Sequence, residues 1–264
     1  VDTDWQDEIF QTGFITNNNI SITGASAKHS FYLGAGYAYE QGNIKKEKYS
    51  KVTLNVSNDY KVTDNFKVGF QFNGARMLPA DTKSVATALR AAPVAHVFNE
   101  EYGLYTTLPG FQKAQMNNPM VDVELKANTT KAENYRASGN VYGEWDFLKH
   151  FQFKVVYSMD YSSNSTCKYT PIIKVFDNSV EGKVETLGDG KTGVSQEKQT
   201  ETKVQSDYLL TYQNTWGEHS LTATAGFTTY YNELELLGAA RTQGVGLVIP
   251  NNPDKWYVSI GDAG

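Results

Sequence analysis

The sequence predicts an all-β protein: an antiparallel transmembrane β-barrel segment of about eight strands, cut from a larger barrel. Three observations carry this. Apolar and polar residues alternate with period two, as a pleated strand requires. The alternating runs approach the nine to eleven or so residues that a tilted strand needs to cross a bilayer, beyond the five or six of an ordinary strand. The connections alternate between short and long, as barrels do with short periplasmic turns and long extracellular loops. The clearest stretch is Asn134–Tyr161. Before its turn, Tyr135, Ala137, Gly139, Val141, Gly143 and Trp145 share one face. After it, Phe151, Phe153, Val155, Tyr157, Met159 and Tyr161 do the same, with aromatics at both ends where an interfacial girdle sits.

Taken in order, Val1–Phe14 is acidic and spaced like a short helical turn, with Thr3 or Asp4 as its cap. A first strand covers about Thr16–Ala25 (Ile20 and Ile22 on one face). A second covers about Ser30–Glu40 (Phe31, Leu33, Ala35, Tyr37, Tyr39). After a loop at Gln41–Glu47, a third strand runs over about Tyr49–Tyr60 and a fourth over about Phe66–Ala75. The long segment Arg76–Glu133 includes a helical stretch, Asp81–Ala92, stopped by Pro93. The Asn134–Tyr161 hairpin supplies strands five and six. Ser162–Gln199 reads as a second long loop, within which Ile172–Phe176 and Gly182–Thr186 form a projecting hairpin. Strands seven and eight cover about Thr200–Trp216 and Ser220–Leu236, and Leu237–Gly264 reads as polar loop with no terminal strand.

The connections after strands one, three, five and seven are short, and those after two, four and six are longer. Both chain ends therefore fall on the long-loop side, whereas a complete barrel has its strand termini on the short-turn side. The expectation is a partial barrel, lacking at least one strand before Val1 and one after Gly264. Composition fits. The chain has 264 residues, a formal charge of −5 and a pI near 5.4, which argues against a nucleic-acid surface. No apolar run reaches the eighteen or so residues of a spanning helix. The one cysteine, Cys167, excludes an internal disulfide.

Several separated blocks resemble the SusC/RagA family of TonB-dependent outer-membrane transporters of Bacteroidetes: DWQDEIFQTGF and NNNISITGASAKHSFYLGAGYAYEQGNIKK, then RAAPVAHVFNEEYG, NNPMVDVELKANTTKAENYRASGNVYGEWDFLKHFQFK and SDYLLTYQNTWGEHSLTATAGFT. They cover most of the chain, in order. The resemblance implies a barrel of about 22 strands with a plugged lumen, of which this chain holds the second to ninth, without plug or TonB-contacting segment. It implies energy-dependent import of glycan or peptide fragments through the Gram-negative outer membrane. It also implies a SusD-like surface lipoprotein as lid, a TonB complex acting through the plug, and outer-membrane lipid around the wall. No cofactor, metal or nucleic acid is expected, and no enzymatic activity.

The long outer loop is the candidate for ligand contact. Phe98, Tyr102, Tyr105 and Phe111 could stack on sugar rings or peptide side chains, with Asn99, Glu100 and Glu101 as polar partners. The competing reading, weighted about two to one ahead, is that these aromatics form the loop's own small core or touch the lid, because a loop of this length needs packing of its own. Lys51, Lys67, Gln71, Arg136, Glu144, Lys154 and Asp160 fall on the polar strand faces and are expected to face the lumen, with Arg136, Glu144 and Lys154 in ion pairs across the wall. Asp4, Asp7 and Glu8 could suggest a cation site, but acids at a helix N-terminus explain them more simply. Gly188–Thr192 contains GKT without the first glycine or the strand-to-helix setting of a phosphate loop, so a turn is the better reading. Rival assignments are a passive porin or adhesin barrel, a soluble carbohydrate-binding sandwich with the apolar rows packed on each other and, more distantly, a hydrolase.

Overall fold

The computed structural model describes residues 1–81, 85–180, 182–244 and 247–258. A short helix, α1 (Trp5–Ile9), precedes β1 (Phe14–Ala25), β2 (His29–Gln41), β3 (Lys48–Thr63) and β4 (Phe66–Leu78). Then follow α2 (Val85–Arg90), two two-residue strands β5 (Phe98–Asn99) and β6 (Leu104–Tyr105), and a wide helical turn at Val121–Leu125. Next come β7 (Thr130–Phe147), β8 (Phe151–Thr170), the small hairpin β9 (Ile173–Phe176) and β10 (Val184–Leu187), and finally β11 (Gly193–Trp216) and β12 (His219–Thr242). Eight of these strands form one antiparallel sheet in the order β1-β2-β3-β4-β7-β8-β11-β12, so each wall strand pairs with its neighbours in sequence.

The register fixes the faces. Residues directly opposite each other in an antiparallel pair share a face. Ile22 pairs with Leu33, Leu33 with Val56, Val56 with Phe72, Phe72 with Gly139, Gly139 with Met159, Met159 with Val204, and Val204 with Tyr231. One apolar row thus crosses all eight strands, with others parallel to it. These rows are exposed: Ile20 is 71% accessible, Val141 56% and Phe227 64%. In water, so wide an exposed apolar surface would be strongly unfavourable; against hydrocarbon it costs nothing. A sandwich would have buried the Phe66–Phe72 and Phe151–Tyr157 rows under a second sheet, and Phe70, Phe72 and Tyr157 are all exposed.

Aromatic rings gather where the apolar band meets the short turns. Trp145 stacks on Phe147 (4.9 Å between centroids), Phe147 on Phe151 (5.6 Å), and Phe151 meets Tyr212 (5.0 Å). This is one interfacial girdle. The short turns beside it are laced together by backbone bonds, Asp146 N–H to Asn65 O and Gln213 N–H to His150 O, both 2.8 Å. The β7–β8 turn places Leu148 and Lys149 in the left-handed region (φ +50° and +61°), matching the twist of the strands it joins.

Several boundaries differ from the sequence reading. β8 continues to Thr170 and β11 begins at Gly193, so the connection is 171–192 rather than Ser162–Gln199. Here both faces are polar (Ser162–Thr166, Gln196–Thr202), so no period-two signal survives, and the strands persist because each pairs with its neighbour's backbone. β12 runs to Thr242, six residues beyond the expected end, because Leu237–Thr242 pairs with the outer half of β11. The first long loop is 79–129, and the helix within it is described only over Val85–Arg90, residues 82–84 lying outside the described residues. The projecting hairpin falls at β9 and β10. The expected turn at the N-terminus is α1, capped by Asp4.

Candidate functional site: a folded outer cap and a polar wall face

The long-loop side is not loose chain. Trp5 and Ile9 of α1, Ile44 of the β2–β3 loop, and Ala88, Ala95, Leu108, Met120 and Val123 of the β4–β7 loop bury against one another. α1 and two separate connections therefore share one small core, which orders a segment otherwise too long to stay structured. Polar groups inside it are satisfied, as burial demands. Trp5 Nε1 donates to Ala92 O (2.9 Å) and Thr3 Oγ1 to Ala95 O (2.7 Å). Buried Asn118 donates to Val97 O (2.9 Å) and Thr106 O (3.1 Å) and accepts from the Met120 N–H (2.9 Å).

The β9–β10 hairpin docks onto this cap. Ile173 and Val175 pack on Val121, with Tyr105 and Leu187 beside them. Next to them Asp177 is fully buried and accepts from Lys113 Nζ (2.9 Å) and the Ser179 N–H (2.9 Å), with Lys183 Nζ at 3.5 Å. Burial alone would raise its pKa, but the Lys113 ammonium and the Ser179 N–H outweigh it and hold the carboxyl far below the usual carboxylate range. Lys113, bonded to Asp177 and then to Glu185 (3.2 Å), is correspondingly raised. The result is an ion-paired pin between two loops 64 residues apart in sequence.

The six ligand-contact candidates separate within this cap. Phe98 and Tyr105 face each other across the β5–β6 hairpin, edge to face at 5.1 Å. Tyr105 is half-buried between two clusters, so its ring is structural. Asn99 Oδ1 accepts the Tyr102 N–H (3.0 Å) and shapes the hairpin tip that Glu100 and Tyr102 expose. Tyr102 lies 4.8 Å from Phe176, a ring contributed by the other long connection. Phe111 stands in the next turn, 73% exposed. Tyr102 and Phe176 thus form one aromatic pair across two loops, while Phe98 packs on Tyr105. Phe176, Lys113 and Asp177 were missed by sequence reasoning, because no local pattern marks partners so far apart.

On the sheet face opposite the apolar rows lie Lys51, Lys67, Gln71, Arg136, Glu144, Lys154 and Asp160. Lys154 Nζ donates to Glu144 Oε1 (2.7 Å), and Arg136 grips Asp160 through Nε and Nη2 (2.7 Å at the shortest). The Tyr142 ring lies between Lys67 and Lys154 (5.2 and 4.8 Å to its centroid), and its hydroxyl donates to Asp59. Gly69 makes room for that ring: a Cβ there would sit 2.6 Å from it. Gln71 lies between Ser57 and Asn140 in the ladder. Asp4 is spent on its helix cap, Asp189 accepts the Lys191 N–H in a turn (3.1 Å), and among the described residues no His, Cys, Asp and Glu gather as a metal site.

No family model matches the chain. TonB-dependent receptor P3 of Formosa agariphila is 25% identical over 249 residues, covering 90% of this chain and 23% of that protein. TonB-dependent receptor SusC of Bacteroides thetaiotaomicron is 25% identical over 171 residues, covering 56% of this chain and 17% of that protein. The chain thus spans less than a quarter of the length of these relatives. Among solved structures, the RagAB peptide importer in its closed-closed state shares the fold at a TM-score of 0.73 and 17% identity, over 92% of this chain and 27% of that one. The chain is therefore similar to the SusC-type TonB-dependent receptors, and its eight-stranded sheet has the fold of a transmembrane barrel wall.

Proposed function

We propose that this chain forms wall and outer loops of an active importer of nutrient oligomers in the Gram-negative outer membrane. The carrying observation is the pairing of a lipid-compatible apolar face with a folded cap on the long-loop side only. In this reading the apolar rows meet lipid and the face bearing Lys67, Gln71, Arg136, Glu144, Lys154 and Asp160 lines the lumen. Energy would arrive through a TonB complex acting on a plug carried by other parts of the protein, and a SusD-like lipoprotein would close over the cap. The chain has a transport role and is not an enzyme; its named relatives are receptors and an importer.

The Tyr102–Phe176 ring pair, with Asn99 and Glu100 in the same hairpin and exposed Phe98 and Phe111 in the same loop, is the proposed ligand contact. Flat rings with a few polar neighbours suit oligomers that present alternating apolar and hydrogen-bonding faces, which glycan and peptide fragments both do. Tyr102→Ala in the intact transporter should weaken ligand binding by several-fold to about tenfold, the worth of one aromatic contact. Oligosaccharide and oligopeptide mixtures should be titrated separately, and only one should respond. Binding of both left unchanged would assign the surface to the lid instead. Uptake that persists after the proton-motive force is collapsed would favour a passive porin.

A further inference from the structure

On the apolar face, β7 carries small side chains where its neighbours carry large ones. Ala137, Gly139 and Gly143 lie in a row, broken only by Val141. Phe70 and Phe72 of β4 stand on one side, Tyr157 and Met159 of β8 on the other. With strands about 4.8 Å apart, these ridges are about 10 Å from each other. Between them runs a trough of about 540 Å3, continued past Gly143 toward the short turns by a second hollow of about 440 Å3. The floor is held low by the backbone itself, since a Cβ on Gly139 would sit 2.4 Å from the Gln71 carbonyl oxygen.

Length and charge say what fits. The six residue steps from Ala137 to Gly143 span about 20 Å along the strand, or about 14 Å along the bilayer normal at a tilt near 45°. That is close to half of a hydrocarbon core about 30 Å thick, one leaflet's share. At the trough's long-loop end stands Arg76, paired in the ladder with Tyr135 and 5.8 Å above its ring. Glu133 accepts from one edge of the Arg76 guanidinium (2.8 Å), and five N–H donors in a planar fork leave others for a second anion. Farther out on the same face are Lys131 on β7 and Lys48 on β3, while β8 presents the uncharged Ser163, Ser165 and Cys167 there. Among the described residues of β3, β4 and β7, Lys48, Arg76 and Lys131 thus stand with Glu133 above the trough.

We infer that this trough holds one acyl chain of a phosphate-headed lipid of the outer leaflet, with its phosphate against Arg76. The inference rests on the membrane reading above. Bulk lipid covers any apolar wall, but a chain in the trough touches three strands while its headgroup meets a fixed cation. Exchange from this position should therefore be slower than from the flat wall.

The test uses the intact transporter in mild detergent, offered dimyristoyl phosphatidylglycerol or the matching diacylglycerol, with retained lipid counted by native mass spectrometry. One phosphatidylglycerol per barrel should be retained, about fivefold more than diacylglycerol. Ala137→Phe, which fills the trough, should abolish retention, and Arg76→Gln should bring the two lipids to parity. If Ala137→Phe fails the heat-mobility check for a folded barrel, Gly143→Leu replaces it, since the nearest atom to a Cβ there is 3.7 Å away. Equal retention by wild type and a trough-filled variant would overturn the inference. So would equal retention of both lipids by wild type, or a doubled mass in place of a lipid adduct, which would give the trough to a second copy. Flotation with vesicles separates the two levels: if the protein stays in solution without detergent, the membrane reading itself has failed.

Discussion

Arginine placed at Val155 and at Ser158 tests the assignment of faces. Val155 lies between Gly143 and Tyr208 in the apolar rows; Ser158, three residues on, lies between Asn140 and Gln205 on the polar face. The apolar run of β8 extends from Phe151 to Tyr161. At about 3.3 Å per residue and a tilt near 45°, Val155 stands about 9 Å from one end of the band and about 14 Å from the other, within a few ångströms of its middle. Val155→Arg should therefore cost about 2–4 kcal/mol, roughly 30- to 1000-fold in the folding equilibrium. Tyr161→Arg, at the band's edge, should cost about 0–1 kcal/mol. Ser158→Arg enters a face already carrying Lys154 and Asp160 and should cost less than about 1 kcal/mol. The assay is denaturant titration of the intact barrel in vesicles, read as midpoints at constant slope. Equal costs at 155 and 158, or no difference between 155 and 161, would refute the reasoning.

Two further outcomes follow from local geometry. Gly139→Ala drives its Cβ into the β4 backbone and should cost about 1–3 kcal/mol. Gly143→Ala meets only the Phe66 ring at 3.7 Å, and by the same titration should stay within about 0.5 kcal/mol. The Asp177 pin gives a pH dependence of known sign. A carboxyl whose folded pKa is depressed contributes its full stabilisation above its unfolded pKa, about 3.9, and loses it as pH falls toward the folded value. Amide-exchange protection at Ser179, which donates to Asp177, should thus be flat from pH 7 to about 5, after correction for the intrinsic exchange rate, and fall only below about 4. A loss of protection between pH 7 and 5 would mean that another group pins the hairpin.

The wall was legible because its chemistry is local. A strand with lipid on one side and polar partners on the other must alternate, so Phe66, Val68, Phe70 and Phe72 announce themselves without knowledge of their neighbours. The outer halves of β8 and β11 leave the membrane and have polar residues on both faces. Nothing in Ser162–Thr166 distinguishes strand from loop until the partner strand is known, and the pairing of Thr166 with Ala132 and Glu197 is what decides it. The same limit divides the cap. Phe98, Tyr102 and Phe111 stand out as aromatics in a polar loop, yet Tyr105 does not differ from them in sequence and is half-buried, because Val121 and Val175 close over it.

Charge is spent differently in the two regions. On the polar wall face, Lys67 and Lys154 are balanced by Asp59 and Glu144 around the Tyr142 ring, and Arg136 is matched by Asp160. These groups satisfy one another within the wall, so in the proposed reading a molecule passing along it would meet paired charges, which bind weakly because an incoming ion must first displace a partner. The cap buries an ionic pin at Asp177 and turns Phe98, Tyr102, Glu100 and Phe111 outward. In the proposed reading, selectivity would belong to the cap and passage to the wall. Because the cap owns a separate hydrophobic core, its outward residues can change without disturbing the ladder that holds the strands together. Substitutions at Tyr102 or Phe111 should accordingly alter ligand preference while leaving barrel folding untouched.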